Sequence, residues 1–429
     1  MGRDLTSDLT KQYSGLFEKK GLKKLFSFSQ DVYKSGKLRE IVSFGVWEAF
    51  HKLRLFPKKE YMVFGNQEAL KLDQTDLLSP EFDAQTVAYF KARNLVAEKC
   101  EHNWKILYSH GSEIFGCIYP EDHDLYKSTD GGKTVTFLYT FPERIKSIFV
   151  SQNNAILVCL RGTMYRSGDQ GKTFTKVLDL GSPISFFRFN NAITQTPEGV
   201  LLAGEYGNIW DPNGWRKLAY IYSSHDDGRT WKTSDFLIQK GTNKHVHIVK
   251  YSPMLKRVMV ADGDNYKKLW LSDDLGKMDF DQPNWIPINK YHIQMGGYTS
   301  VVETGGKVIF GTDYQGGTNF LVETRDGKNY SKVIVPDPYR RSPIDNMILR
   351  KSRTGEEIWA NLPFSTPTSR CLLMYTADQG KTWNKVFDYK RSTHTVWIIN
   401  SSTDTSNEVY FSVENVKDKS RVVYKVTDR

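Results

Sequence analysis

Two histidines two residues apart, His245 and His247, stand at the head of an apolar stretch that reads as a strand. Alternation along a strand sends both rings to one side. Imidazole titrates closest to neutrality of all side chains, so the pair suits proton transfer when a carboxylate partners it. Glu205, Asp264 and Asp313 offer such carboxylates, each just after a short apolar run in the same third of the chain. Imidazole plus carboxylate also suits a divalent metal such as zinc, manganese or iron at His245 and His247. A third reading makes these groups polar lining of an interior channel, satisfied by one another and by water. The residues leave all three open. Arg188, Tyr206, Lys244, Asn265, Tyr314 and His394 hold comparable strand-end positions and supply charge, amide and aromatic surface for substrate binding. Aromatic faces beside amides and carboxylates suit sugar rings, whose C–H faces stack while their hydroxyls hydrogen-bond. The chemistry expected is therefore binding of an oligosaccharide or polysaccharide, or its cleavage by a hydrolase or lyase through His245 or His247 with Glu205, Asp264 or Asp313. The insertion from Gly207 to Lys217 would wall a groove beside them.

These residues need a scaffold, and the scaffold is written as a repeat. The phrase Ser128-Thr129-Asp130-Gly131-Gly132-Lys133-Thr134 returns as Ser167 to Phe174, Ser224 to Trp231, Ser272 to Lys277, Thr324 to Lys328 and Thr376 to Trp383. Its aspartates, Asp130, Asp169, Asp226, Asp274, Asp326 and Asp378, lie between 39 and 57 residues apart, the size of one four-stranded propeller blade with its loops. Each copy sits between two apolar runs, so each is a hairpin loop. The aspartate accepts backbone N–H bonds and the glycine supplies positive φ.

The phrase resembles the Asp-box, or BNR repeat, of sialidases and related β-propellers. The second, third and sixth copies match its Ser/Thr-x-Asp-x-Gly-x-Thr-Trp/Phe pattern well. The first carries Val135 in the aromatic place, the fourth Met278 for Thr, and the fifth is one residue short. The resemblance covers roughly residues 100–429. It implies a propeller in which the six aspartates are structural and lie away from the active face. It does not extend to sialidase catalysis. That family grips its substrate carboxylate with three arginines and uses a Tyr/Glu nucleophile pair with an Asp acid/base. Here Arg144 sits in Phe141-Pro142-Glu143-Arg144-Ile145-Lys146, without the proline expected after Ile145, and Arg188, Arg340 and Arg341 stand in no family motif.

A seventh strand pair, Glu408 to Val413 and Arg421 to Asp428, ends where a seventh copy would begin. The expected fold is all-β, a seven-bladed propeller (six blades being the alternative), occupying residues 58–429. Its last blade lacks an outer strand, which Glu60 to Gly65 would donate, closing the ring and removing an open edge. Residues 1–57 read as a basic helical segment with apolar spacings of three and four. Residues 1–60 hold 13 of the 59 Lys and Arg but 7 of the 49 Asp and Glu, so most of the net +10 resides there. Lysines among aromatics suit either docking on the propeller or contact with an anionic membrane or a partner protein. Nucleic acid is not expected, since no recognised module accompanies the charge. No run approaches a membrane span and no signal peptide is visible. Four cysteines without paired spacing, Cys100, Cys117, Cys159 and Cys371, and a mean hydropathy of -0.50 fit a cytoplasmic protein, peripheral to a membrane at most.

Overall fold

The computed structural model describes residues 22–35, 38–65, 68–74, 84–189, 191–211, 214–242, 244–262, 268–272, 285–288, 297–401 and 407–429. The repeat resolves into seven antiparallel blades in a ring, a β-propeller. The inner strands of blades one to seven are Trp104–His110, Ser147–Val150, Ile193–Gln195, Val246–Ser252, Tyr298–Thr304, Asn346–Ser352 and His394–Ile398. Second strands such as Ile156–Cys159, Leu201–Gly204 and Lys307–Thr312 are buried along their whole length. Neighbouring blades cover both of their faces, which is why these strands read as unbroken apolar runs. The core is a chain of clusters between blades, such as Leu107, Phe115, Ile148, Phe187 and Tyr222 across blades one to three.

Each repeated phrase among the described residues joins the third strand of a blade to its outer strand. In the first copy the Ser128 hydroxyl donates to Asp130 Oδ1 (2.8 Å) and accepts from the Gly132 N–H (2.9 Å). Asp130 also receives the Thr134 N–H and hydroxyl at 3.0 and 2.8 Å. Copies two, three and six repeat these bonds. In the shorter fifth copy the Asn329 amide takes the threonine's place, donating to Asp326 at 2.7 Å. Asp274 lies outside the described residues. Gly132 has φ of +84°, and a Cβ there would meet the Trp104 indole at 2.9 Å, so only glycine closes the turn. All these turns lie on one face of the ring, the turn face. Connections between blades, and between second and third strands, lie on the opposite loop face.

The seventh blade is closed by an N-terminal strand, but not by Glu60 to Gly65. The closing strand is Leu95–Lys99, paired antiparallel with Arg421–Asp428. It leads directly into the inner strand of blade one, the same short outer-to-inner connection that joins the other blades. Residues 60–65 are too far upstream for that connection. They lie parallel along the rim of blades five and six instead, with Tyr61 bridging Ile334 and Phe64 bridging Trp383. Leu70–Lys71 continues the strap beside the outer strand of blade six.

Two N-terminal helices, α1 (Leu22–Ser35) and α2 (Leu38–Lys52), precede the strap; residues 1–21 of the basic segment lie outside the described residues. Helix α2 docks at the loop face of blade five. Glu48, 6% exposed, accepts from Arg340 Nη1 at 2.5 Å and Arg341 Nη2 at 2.8 Å. The Trp47 ring stacks on Phe320 at 5.6 Å, and Phe44 meets Tyr314 edge-on at 6.3 Å. His51 Nδ1 lies 2.8 Å from the Tyr61 hydroxyl. Burial, with Arg340 beside it, pushes the His51 imidazole down to about 4. Burial would raise Glu48, but the two arginines hold it below the usual carboxylate value.

Candidate functional site

The loop-face mouth brings many of the sequence-predicted residues together. Glu205 follows the second strand of blade three and is fully buried. Its Oε2 accepts from the Tyr222 hydroxyl at 2.5 Å and from the Gly181 N–H at 3.0 Å. Burial raises its pKa, opposed by hydrogen bonds from Ser185, Tyr222 and Gly181. His245 and His247, 0% and 1% exposed, head the inner strand of blade four. His245 Nδ1 lies 2.7 Å from the Gly207 carbonyl oxygen, an acceptor, so Nδ1 must carry the proton. The Nε2 atoms of His245 and His247 face each other across 2.8 Å, so one ring donates to the other. The Tyr206 ring lies 4.1 Å from that of His245.

Arg188, at the entry to blade three, donates to Asp345 Oδ1 at 3.3 Å and holds its guanidinium 5.5 Å over the Tyr206 ring. Burial opposes its charge, but Asp345, Tyr206 and Asp313 more than offset that and raise its pKa. Asp313 and Tyr314 follow the second strand of blade five, with Tyr314 buried under Phe44. Lys244 is buried, its carbonyl receiving the Leu218 N–H at 2.6 Å. His394 is set apart at the head of blade seven, its pKa lowered by burial against the opposing pull of Asp73 and Asp418. Asp264 and Asn265 lie outside the described residues. Arg340 and Arg341 are occupied by Glu48, whereas Arg188 pairs with Asp345. The Gly207–Lys217 insertion forms a small hairpin, Trp210–Asp211 with Gly214–Trp215. Asp345, the partner of Arg188, escaped the sequence reading because nothing local distinguishes it from Asn346 beside it.

This cluster is a set of buried groups engaged with one another. A substrate reaches Glu205 or the histidine pair only if the surrounding loops open. The two Nε2 atoms that would ligate a metal face each other, and among the described residues no three His, Cys, Asp or Glu are grouped to hold an ion.

A concave feature lies at the other end of the channel. A cavity of about 610 Å³ opens on the turn face, framed by the far ends of the inner strands. Tyr108, Phe149 and Tyr251 give it aromatic wall, while Lys250, Lys351 and Glu356 bring charge. Glu303, also on the wall, accepts from the Ser252 hydroxyl at 2.5 Å and the Met254 N–H at 2.7 Å; Glu356 accepts from the Thr304 hydroxyl at 2.5 Å. Each of these carboxylates keeps lone pairs beyond those bonds. No sequence signal marked the cavity, since its residues come from different blades and share only their position at inner-strand ends.

No family profile matches the chain. Sortilin of Danio rerio is 25% identical over 228 residues, 52% of this chain, and the chain spans 24% of sortilin's length. Among solved structures the chain is similar to streptogramin B lyase, at 12% identity and TM-score 0.51 over 78% of this chain and 98% of that one. A catalytically inactive virginiamycin B lyase of Staphylococcus aureus with quinupristin gives 11% identity and TM-score 0.51, with the same coverage. Trypanosoma rangeli sialidase gives 12% identity and TM-score 0.41 over 69% of this chain and 56% of that one. At such identities the likeness is one of fold.

Proposed function

We propose that this propeller binds an oligosaccharide in the turn-face cavity. The observation that carries the reading is the cavity itself: about 610 Å³, walled by Tyr108, Phe149 and Tyr251 and edged by Glu303, Glu356, Lys250 and Lys351. Pockets of a few hundred to about 1,000 Å³ with convergent polar groups are the usual form of a small-ligand site. Sugar C–H faces fit the aromatic wall, and hydroxyls donate to the carboxylates. Strand ends hold these groups rigidly, so little ordering entropy opposes binding. The test is calorimetric titration of the full chain with a panel of neutral and acidic oligosaccharides, repeated with Glu356→Gln and Tyr251→Ala. The reading expects one glycan class to bind and both variants to weaken it at least tenfold while the fold is retained. Binding that ignores both variants would refute the cavity as its site.

A second reading keeps chemistry at the loop face. The observation in its favour is Glu205, whose pKa burial raises beside Tyr222 and near the His245–His247 pair. A carboxyl tuned upward suits a general acid, and the class of reaction is then glycoside hydrolysis or elimination, with Asp264 and Asp313 as further candidates. New reducing ends or unsaturated sugars detected by mass spectrometry, lost in Glu205→Gln but kept in Glu356→Gln, would favour it over simple binding.

A further inference from the structure

The loop face carries two surface features that neither reading uses. The first is the outer side of the helical cap. Val42, Val46, Phe50 and Leu53 are 56%, 48%, 40% and 66% exposed, and Leu55 follows at 54%. Their spacing places Val42, Val46 and Phe50 on one side of α2, away from Trp47 and Glu48, which face the propeller, and Leu53 follows just past the helix end. Phe26 and Tyr33 on α1 are 68% and 85% exposed. Seven of the 13 large exposed apolar side chains among the described residues thus lie between 26 and 55. Such concentration marks an interaction surface rather than ordinary scatter. Exposed Lys52, Arg54, Lys58 and Lys59 border it.

The second feature lies across the ring, on blades one and two. Lys105 reaches Asp122 at 3.5 Å and the Ile145 carbonyl at 3.2 Å, and Arg144 reaches Asp122 at 3.3 Å. Lys146 lies 5.6 Å over the Phe186 ring. Burial lowers the Lys146 pKa, and Lys105, Arg161 and Arg144 lower it further, so these four cations share one neighbourhood in which Asp122 answers them.

We infer that the loop face docks on an anionic lipid bilayer, the outer side of the cap entering the headgroup region while Lys105, Arg144, Lys146 and Arg161 meet the headgroups. Apolar side chains bordered by cations are what an interfacial helix presents, and one such signal alone binds weakly, whereas two on one face add. Like charge argues against a second copy of this chain as the occupant, since pairing two such faces would bring their cations together. Docking in this way leaves the turn-face cavity open to solvent, although the inference stands without the sugar reading.

The test is co-sedimentation of the full chain with vesicles of phosphatidylcholine, with and without phosphatidylglycerol. Binding is expected only with the anionic lipid, falling as salt is raised. Each cation near such a surface is worth about fivefold in affinity, so Arg144→Glu with Arg161→Glu should weaken binding at least tenfold. Val46→Glu with Leu53→Glu should do the same, with melting temperatures unchanged because all four side chains are exposed. Equal binding to both vesicle types, no binding to either, or binding that survives both pairs of substitutions would overturn the inference. So would a dimer in lipid-free solution that Val46→Glu with Leu53→Glu converts to monomer.

Discussion

Replacing Glu48 by Ala should release the helical cap without unfolding the propeller. Glu48 is 6% exposed and receives Arg340 at 2.5 Å and Arg341 at 2.8 Å. Removing one partner of a buried ion pair costs about 3–5 kcal/mol, because the other charge is left buried. Arg340 is not wholly abandoned: Asp337 holds its Nε at 3.0 Å and Thr318 its Nη1 at 3.0 Å, and Arg341 keeps the Gly316 carbonyl at 2.7 Å. These contacts, with Asp337 largely exposed, bring the loss to or below the bottom of that range, about 2–3 kcal/mol, or roughly a 30- to 150-fold rise in the undocked population. The readout is native-state amide exchange. Amides of Leu38–Lys52 should exchange faster by that factor, while the inner strand Val246–Ser252 keeps its rate. Glu48→Gln, which preserves shape and one acceptor, should fall between. Unchanged exchange in α2 would refute the argument that this ion pair holds the cap, and equal acceleration in both elements would show that cap and propeller open as one unit.

The same junction should loosen in mild acid. His51 has a bound-state value of about 4 against an ordinary 6.5, set by burial and Arg340 and Arg341, with Asp337 and Glu48 opposing and the Tyr61 hydroxyl in contact. The docked cap therefore holds fewer protons than the free one, and docking weakens as pH falls from about 6.5 toward 4. Trp47 fluorescence followed across that range should show the loss, and His51→Gln should flatten it. His247→Ala should lower stability by about 2–4 kcal/mol, since it removes a buried ring and takes away the Nε2 that His245 Nε2 pairs with; an unchanged melting temperature would show that the pair is not structural. The Thr134 N–H, the Ser128 hydroxyl and the Thr134 hydroxyl hold Asp130 down to about 2, so its turn contributes stability above pH 3.8 that disappears as pH falls toward 2. Asp130→Asn should accordingly unfold more easily than the parent at pH 7 in denaturant, with the difference vanishing near pH 2.

The turns were legible because their chemistry is local. Ser128, Asp130, Gly132 and Thr134 close their hydrogen bonds within seven residues, so the phrase alone determines the hairpin, and its recurrence determines the blades. The unbroken apolar strands followed from the same logic, since a strand buried on both sides carries no polar face. The ring-closing strand was misplaced because Glu60 to Gly65 and Leu95–Lys99 look alike as sequence; only the short connection into Trp104 decides which one closes blade seven. Docking of the helical segment was among the expectations, but its anchor was hidden, for Glu48 lies nearly 300 residues from Arg340 and Arg341 in the chain and meets them only when blade five forms. Sequence determined what each residue could do within its own turn or strand. Tertiary structure decided what faces what: it buried Glu205, His245 and His247 against one another and opened the cavity at the opposite mouth, because burial and concavity arise from seven blades meeting around one axis.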